Sequence, residues 1–280
     1  MLQKCVESFF SCAREREAIR RRRSAGQAWP WTEDLIFRDW RFCNVHREHD
    51  KTTIWFREHV RDKLSDHHQT MQAVIAFRWF NRINVGEQLV DLLLTGWDTQ
   101  QARRRLAAIH PIVTGAYVIK TPDGKTKLDG VLWCIEQAHS RFPVLPITWG
   151  NSLREVWLDL QILPFMGGFM AYEVVSDLRW TPILARAGDI STWAAIGPGC
   201  ARGLGYLVAD DSERYRRDSA KDQVEMLTVM RELLLRSQDP ACWPYIDVPW
   251  EMRECEHWAC EFAKYRQAQA GYRLKRRFRT

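Results

Sequence analysis

A mainly α-helical domain with one small inserted β-hairpin is the fold this sequence predicts, and it does so on three grounds. Apolar residues recur at helical spacing through most of the 280 residues. A single stretch, 116–132, runs instead through Thr121-Pro122-Asp123-Gly124, a turn sequence suited to a hairpin. No internal repeat or Pro/Gly/Ser-rich linker divides the chain, so a single domain over 1–280 is expected.

Taken in order, residues 2–23 read as a helix. Val6, Phe9, Phe10 and Ala13 line one face, Arg/Glu pairs fill the other, and Ala25-Gly26 ends it. Trp29-Pro30-Trp31-Thr32-Glu33-Asp34 is a turn in which Thr32 can cap a helix over 35–43. Helices over 51–64 (with Asp50 as cap), 71–79, 86–94 and 99–108 complete an N-terminal part of about 1–110. The hairpin takes about 115–133. Helical spacing returns over 131–140, 152–160, 169–178, 219–236 and 251–269. This gives a two-helix part within about 151–210, C-terminal helices over about 219–269, and a basic tail, 273–280.

Composition narrows the function. With 46% hydrophobic and 27% charged residues the chain is no disordered polymer. No run of about 18 apolar residues offers a transmembrane helix. Glu7, Arg14, Glu15 and Arg16 break any secretory apolar region, so a soluble cytoplasmic protein is expected. The 8 cysteines form no CxxC pair and fit reduced thiols rather than disulfides or a zinc cage. The net charge of +6 is concentrated in Arg20–Arg23 and in Arg273, Lys275, Arg276, Arg277 and Arg279, blocks that suit a polyanion such as nucleic acid. Some of the 14 tryptophans can stack on bases, and the rest supply core. A P-loop kinase is excluded, because Gly124-Lys125-Thr126 has Ile119 where the motif needs glycine.

The segment 160–178 carries more. Leu163-Pro164 stops one helix, Gly167-Gly168 permit a tight turn needing φ > 0, and a second helix starts at about Phe169. A helix start of this kind presents N–H groups to a DNA phosphate, which makes Gly167, Gly168 and Phe169 candidate backbone contacts. The residue order resembles the helix-hairpin-helix of the DNA glycosylase superfamily, with Phe165 where the first glycine of Leu-Pro-Gly usually stands. The resemblance implies a glycosylase-like helical fold and a catalytic Asp downstream. Asp189, in Arg186-Ala187-Gly188-Asp189, fits the spacing best, and Asp177 is nearer but lies within the second helix. Phe169 takes about the place of the lysine that some members use to cleave the strand, so lyase chemistry is not implied.

Further stretches extend the match: the polar and aromatic run 37–52, the glycine-rich 195–204 (read as a loop), 168–178, and 260–265. From about Arg14 onward, the chain resembles the bacteriophage α-glutamyl/putrescinyl thymine pyrophosphorylases, or amino acid:DNA transferases. The same signature occurs in helical domains of hydroxymethyl-deoxyuridine DNA kinases. The implied activity is transfer of an amine, from an amino acid or polyamine, to the 5-methylene of pyrophosphorylated 5-hydroxymethyluracil, releasing pyrophosphate. The implied partners are double-stranded DNA containing modified thymine, the amine donor and an upstream DNA base kinase, in the cytoplasm of an infected bacterium.

That chemistry asks for definite residue types. An everted base needs aromatic and polar contacts, for which Asn44, Trp40 and His46 are candidates, beside Trp29, Trp31 and Trp149. Departing pyrophosphate needs guanidinium forks, which Arg38, Arg41, Arg47 and Arg202 can supply. A carboxylate must take the amine's proton; Asp189 comes first, then Asp50, Glu48 and Asp177. Cys43 or Cys200 would serve only a route through a thiolate adduct. No resident cofactor is called for and no acidic cluster demands a metal, though Mg²⁺ can accompany pyrophosphate. Two alternatives remain open: a glycosylase that excises the modified base, and a non-catalytic DNA-binding partner of the kinase.

Overall fold

Short polar side chains set half of the α-helix starts among the described residues. The computed structural model describes residues 1–147 and 149–278. In chain order its helices are α1 (Gln3–Ser24), α2 (Leu35–Asp39), α3 (Lys51–His59), α4 (His67–Phe80), α5 (Ile83–Thr95), α6 (Thr99–Leu106), α7 (Lys127–Arg141), α8 (Leu153–Leu160), α9 (Gly168–Leu178), α10 (Pro198–Ala209), α11 (Ala220–Arg236) and α12 (Met252–Gln269). Asp34, Asp66, Asp98, Thr126, Ser152 and Ser219 accept from amides in the first turns of α2, α4, α6, α7, α8 and α11. Glu251 and Glu254 form a capping box at α12. Thr32, expected to cap the second helix, instead accepts from Asp34 N at 3.0 Å, and Asp34 is the cap.

The chain forms two compact units, Met1–Asp50 with Ile190–Thr280, and Lys51–Asp189. In the first, Phe9 and Phe10 of α1 meet Trp250 and Phe262 edge to face or tilted, and Trp258 Nε1 donates to Phe9 O at 3.1 Å. Each such buried ring contributes roughly 1.5–3 kcal/mol. In the second unit α4 is buried almost all round over residues 73–80, as a central helix must be, with Phe77 stacked on Phe56 at 4.4 Å. Around it pack α5, α7 and α9.

Several expectations are corrected. No strand forms over 115–133 among the described residues. Thr126 and Asp129 set the start of α7, and Lys127 Nζ reaches back to Ile119 O at 3.0 Å, so the second half of the expected hairpin is helical. The capping interaction satisfies the backbone locally and leaves no second strand. The stretch 195–204 is largely helix, with Pro198 in the first turn of α10. Its glycines serve close approach: a Cβ on Gly203 would lie 2.0 Å from Ala259 O of α12. The second helix ends at Asp39 rather than near residue 43, because Trp40 is extended and pairs with Arg277.

Helix, tight turn and helix do occur at α8, 161–167 and α9. The left-handed residue of the turn is Phe165 (φ 62), not a glycine, whereas Gly167 is extended. Phe165 therefore keeps, at a strain of about 1–2 kcal/mol, the backbone form that glycine would adopt freely. Gly168 is closely packed: a Cβ there would lie 3.1 Å from the Trp157 ring, whose Nε1 donates to Gly168 O at 2.8 Å.

Candidate functional site

The polar run after α2 is held along one side of α12. Cys43 N donates to Glu261 at 2.8 Å, His257 Nε2 donates to Asn44 O at 3.1 Å, and Lys264 pairs with Glu261 at 2.7 Å. Asn44 is the hub of the turn. Its amide donates to His49 O (2.8 Å) and Asp50 Oδ1 (3.0 Å), and its Oδ1 accepts from Arg16 of α1 at 2.6 Å. His46 Nε2 lies 3.2 Å from Pro249 O; a carbonyl only accepts, so the ring proton is on Nε2. Nδ1 of His46 is then a buried acceptor without a donor.

Burial tunes this cluster. Removal from water pushes the Asp50 carboxyl up to about 6, against the opposing pull of Arg47, the backbone N–H of Asn44 and Arg16. Glu254, buried at the start of α12 and accepting from Glu251 N at 3.0 Å, is pushed up to about 7 for the same reason. Removal from water and the nearby Arg253 and Arg47 hold His257 well below its usual range, and burial lowers His46. The imidazoles are neutral at physiological pH, while the carboxyl groups change charge near it. Such values are the ones a general base requires.

Gly199 and Gly203 set α10 against Cys260 and Ala259 of α12, and 37–50, 195–204 and 260–265 share the first unit. The stretch 168–178, with Gly167, Gly168 and Phe169, belongs to the second. In the first unit a cleft of about 640 Å³ is lined by Glu15, Arg22, Trp31, Glu33, Asp34 and Tyr265 among others.

The predicted residues fall into distinct settings. Arg41 and Arg202 are exposed, whereas Arg47 is buried and Arg38 is tied to its own turn through Thr32 O (2.6 Å) and Glu33 (2.7 Å). Trp40 lies under Arg277, whose guanidinium is 5.4 Å from the ring centre, and Trp149 is core, donating to Asp159 at 2.9 Å. Asp189 accepts from Ser152 Oγ (2.7 Å), Leu153 N (2.7 Å) and Arg154 N (3.0 Å), an anion seated on the N-terminus of α8. Asp177 is fully buried and forked to Arg78, which corrects the expectation of a reachable carboxylate there. Cys200 is buried 3.9 Å from Met230 Sδ and burial raises its thiol well above the usual range, so no thiolate is available there. Among the described residues no group of His, Cys, Asp or Glu is arranged to hold a metal ion, and no helix is long and apolar enough to cross a membrane.

Sequence reasoning missed Arg16, Glu254 and His257. The available signal was a polar stripe on α12, Glu254, His257, Glu261 and Lys264, at helical spacing beside the apolar Cys255, Trp258, Ala259 and Phe262.

A helical domain of the kind found in 5-hmdU DNA kinases is the class that the comparisons define. The family model described as "5-hmdU DNA kinase, helical domain" matches residues 3–273, and the chain belongs to this family. A 5-hmdU DNA kinase of Bacillus phage SP10 is 25% identical over 300 aligned positions, which cover 92% of this chain and 44% of that protein. The chain thus spans less than half the length of this relative. No solved structure matches significantly.

Proposed function

We propose that the chain acts on 5-hydroxymethyluracil-containing DNA in thymidine hypermodification, and that its reaction is amine transfer onto the pyrophosphorylated base. The amine nitrogen attacks the 5-methylene carbon, the bond from that carbon to the pyrophosphate oxygen breaks, and pyrophosphate leaves. The proton lost by the nitrogen passes to Asp50. The carrying observation is the Asp50 carboxyl, pushed up to about 6 and set among Arg16, Arg47 and Asn44 within the segments that carry the resemblance. Asp50 takes precedence over Asp189, whose oxygens already accept a hydroxyl and two amides at the start of α8. Arg41 and Arg202, being exposed, are assigned to phosphate. Gly167, beside which a Cβ would meet nothing within 4 Å, leaves the start of α9 open to a strand phosphate. The chemistry needs no resident cofactor, and Mg²⁺ would enter with the pyrophosphate.

Family membership favours one second reading, a DNA-binding helical partner that positions the base for a kinase without reacting itself. Incubation with pyrophosphorylated hydroxymethyluracil DNA and a panel of amines, followed by nucleoside mass spectrometry, separates the readings. A nucleoside heavier by the amine supports transfer. Release of free base would establish excision instead, and unchanged DNA would leave the partner role.

A further inference from the structure

The two basic blocks of the sequence have opposite fates. On α1, Arg20 and Arg21 each donate to Glu17 at 2.8 Å, Arg21 also holds Asp247 at 2.7 Å, and Arg22 holds Glu15 at 2.9 Å. Arg23 sits 5.4 Å from the centre of the Trp31 ring. That block is largely neutralised within the protein.

In the C-terminal block, Arg273, Lys275 and Arg277 are not. Its backbone pairs antiparallel with the segment after α2: Trp40 bridges Arg277, Arg41 N donates to Arg276 O at 3.1 Å, and Phe278 N donates to Asp39 O at 2.9 Å. Side chains alternate across such a pair. Trp40 and Arg277 share one face, with the guanidinium over the ring, and Arg41 and Arg276 share the other. Phe278 packs edge-on against Trp31 at 5.9 Å and anchors the end. Arg41, Arg273, Lys275 and Arg277 are exposed, and none has a carboxylate partner among the described residues. Arg279 lies outside them.

We propose that this ribbon, Asp39–Arg41 paired with Arg276–Phe278, is a binding surface for the phosphate backbone of double-stranded DNA. It rests on the reading that the chain acts on DNA, and it gives Arg41 a strand phosphate as its partner. Arg277 and Lys275 on one face of the ribbon and the Arg41 guanidinium on the other supply the contacts, so a phosphate is met on each side of it. The α1 block supplies none.

The test compares two charge-matched variants by fluorescence anisotropy on a labelled duplex over about 50–200 mM salt. One is Arg41→Gln/Lys275→Gln/Arg277→Gln. The other removes the same charge at the exposed Arg104, Lys125 and Lys221, which have no ion-pair partner among the described residues. A chain ending at Tyr272 is the third protein, and far-UV circular dichroism confirms that all are folded. The ribbon variant and the shortened chain should bind at least about tenfold more weakly at 100 mM salt, and the log–log slope of the ribbon variant should fall by about 2–3. The matched control should stay within about threefold of the parent. Equal losses in the ribbon variant and the control would overturn the proposal, as would no loss, or a parent that prefers RNA of the same length. Nucleoside mass spectrometry on the same proteins keeps the two ideas apart. Transfer that is indifferent to the ribbon sinks only the surface, whereas ribbon-dependent binding with no transfer sinks only the proposed reaction.

Discussion

Asp177→Ala would leave the Arg78 guanidinium charged and without its main counter-ion in the middle of the second unit. The two side chains are 1% and 0% exposed, and they meet as a fork, Arg78 Nη2 to Oδ1 at 2.7 Å and Nε to Oδ2. Burial opposes the charge on Arg78, yet Asp177 holds the guanidinium above its ordinary range. After truncation Asn81 Oδ1 at 2.7 Å and Thr53 Oγ1 at 3.3 Å remain as neutral acceptors, and the Glu173 carboxylate still acts on the guanidinium. Breaking a buried pair in this way costs about 3–5 kcal/mol, a large part of the roughly 5–15 kcal/mol that holds a domain together. In urea, with a slope of about 2–3 kcal/mol per molar, the midpoint should drop by about 1–2 M. Arg78→Met/Asp177→Leu removes both charges and should recover at least about 2 kcal/mol of the loss. Circular dichroism during urea titration reads all three proteins. A truncated protein within about 1 kcal/mol of the parent, or a double variant no better than the single one, would refute the reasoning. Activity per folded molecule should be unchanged by Asp177→Ala, since the carboxylate does not reach substrate.

Two other perturbations probe the capping groups. Glu254 has its carboxyl raised from an ordinary 4.5 to about 7, so the folded state binds its proton more tightly than the unfolded chain. Its contribution is present below about pH 4.5 and is lost as pH rises through 7. Glu254→Gln should therefore flatten the fall in melting temperature across that window, and an unchanged slope would show that another group is responsible. Asp189→Ala removes the acceptor of Ser152, Leu153 and Arg154 and should cost about 1–2 kcal/mol in urea unfolding. Full stability combined with abolished turnover would return Asp189 to the role of base.

The helix starts at Ser152 and Ser219 were legible from sequence, because these side chains act on amides only three residues away, whereas Asp34 took the capping role expected of Thr32. The Pro122-Asp123-Gly124 signal misled for a related reason. It specifies a reversal of the chain but not the element beyond it, and Thr126 with Asp129 started a helix there. The glycines of 195–204 resembled a loop because glycine lowers helix propensity, whereas their demand comes from a neighbour more than fifty residues on, Ala259. The site was legible as residue types in 38–50. Its other wall was not, since a charged stripe on α12 has the same pattern whether it faces water or Asn44. Nor does a run of arginines reveal that Glu17 and Asp247 will neutralise it.

The rate of aminated-nucleoside formation from pyrophosphorylated DNA, followed by mass spectrometry from about pH 5 to 8 for the parent and for Asp50→Asn, bears most directly on the proposed chemistry. With Asp50 as base, the parent rate should rise through an inflection near 6, where the carboxyl loses its proton. Asp50→Asn should lose about 100-fold or more in rate and show no inflection there, with duplex affinity unchanged. An Asp50→Asn protein that turns over at the parental rate, with the same pH profile, would contradict it.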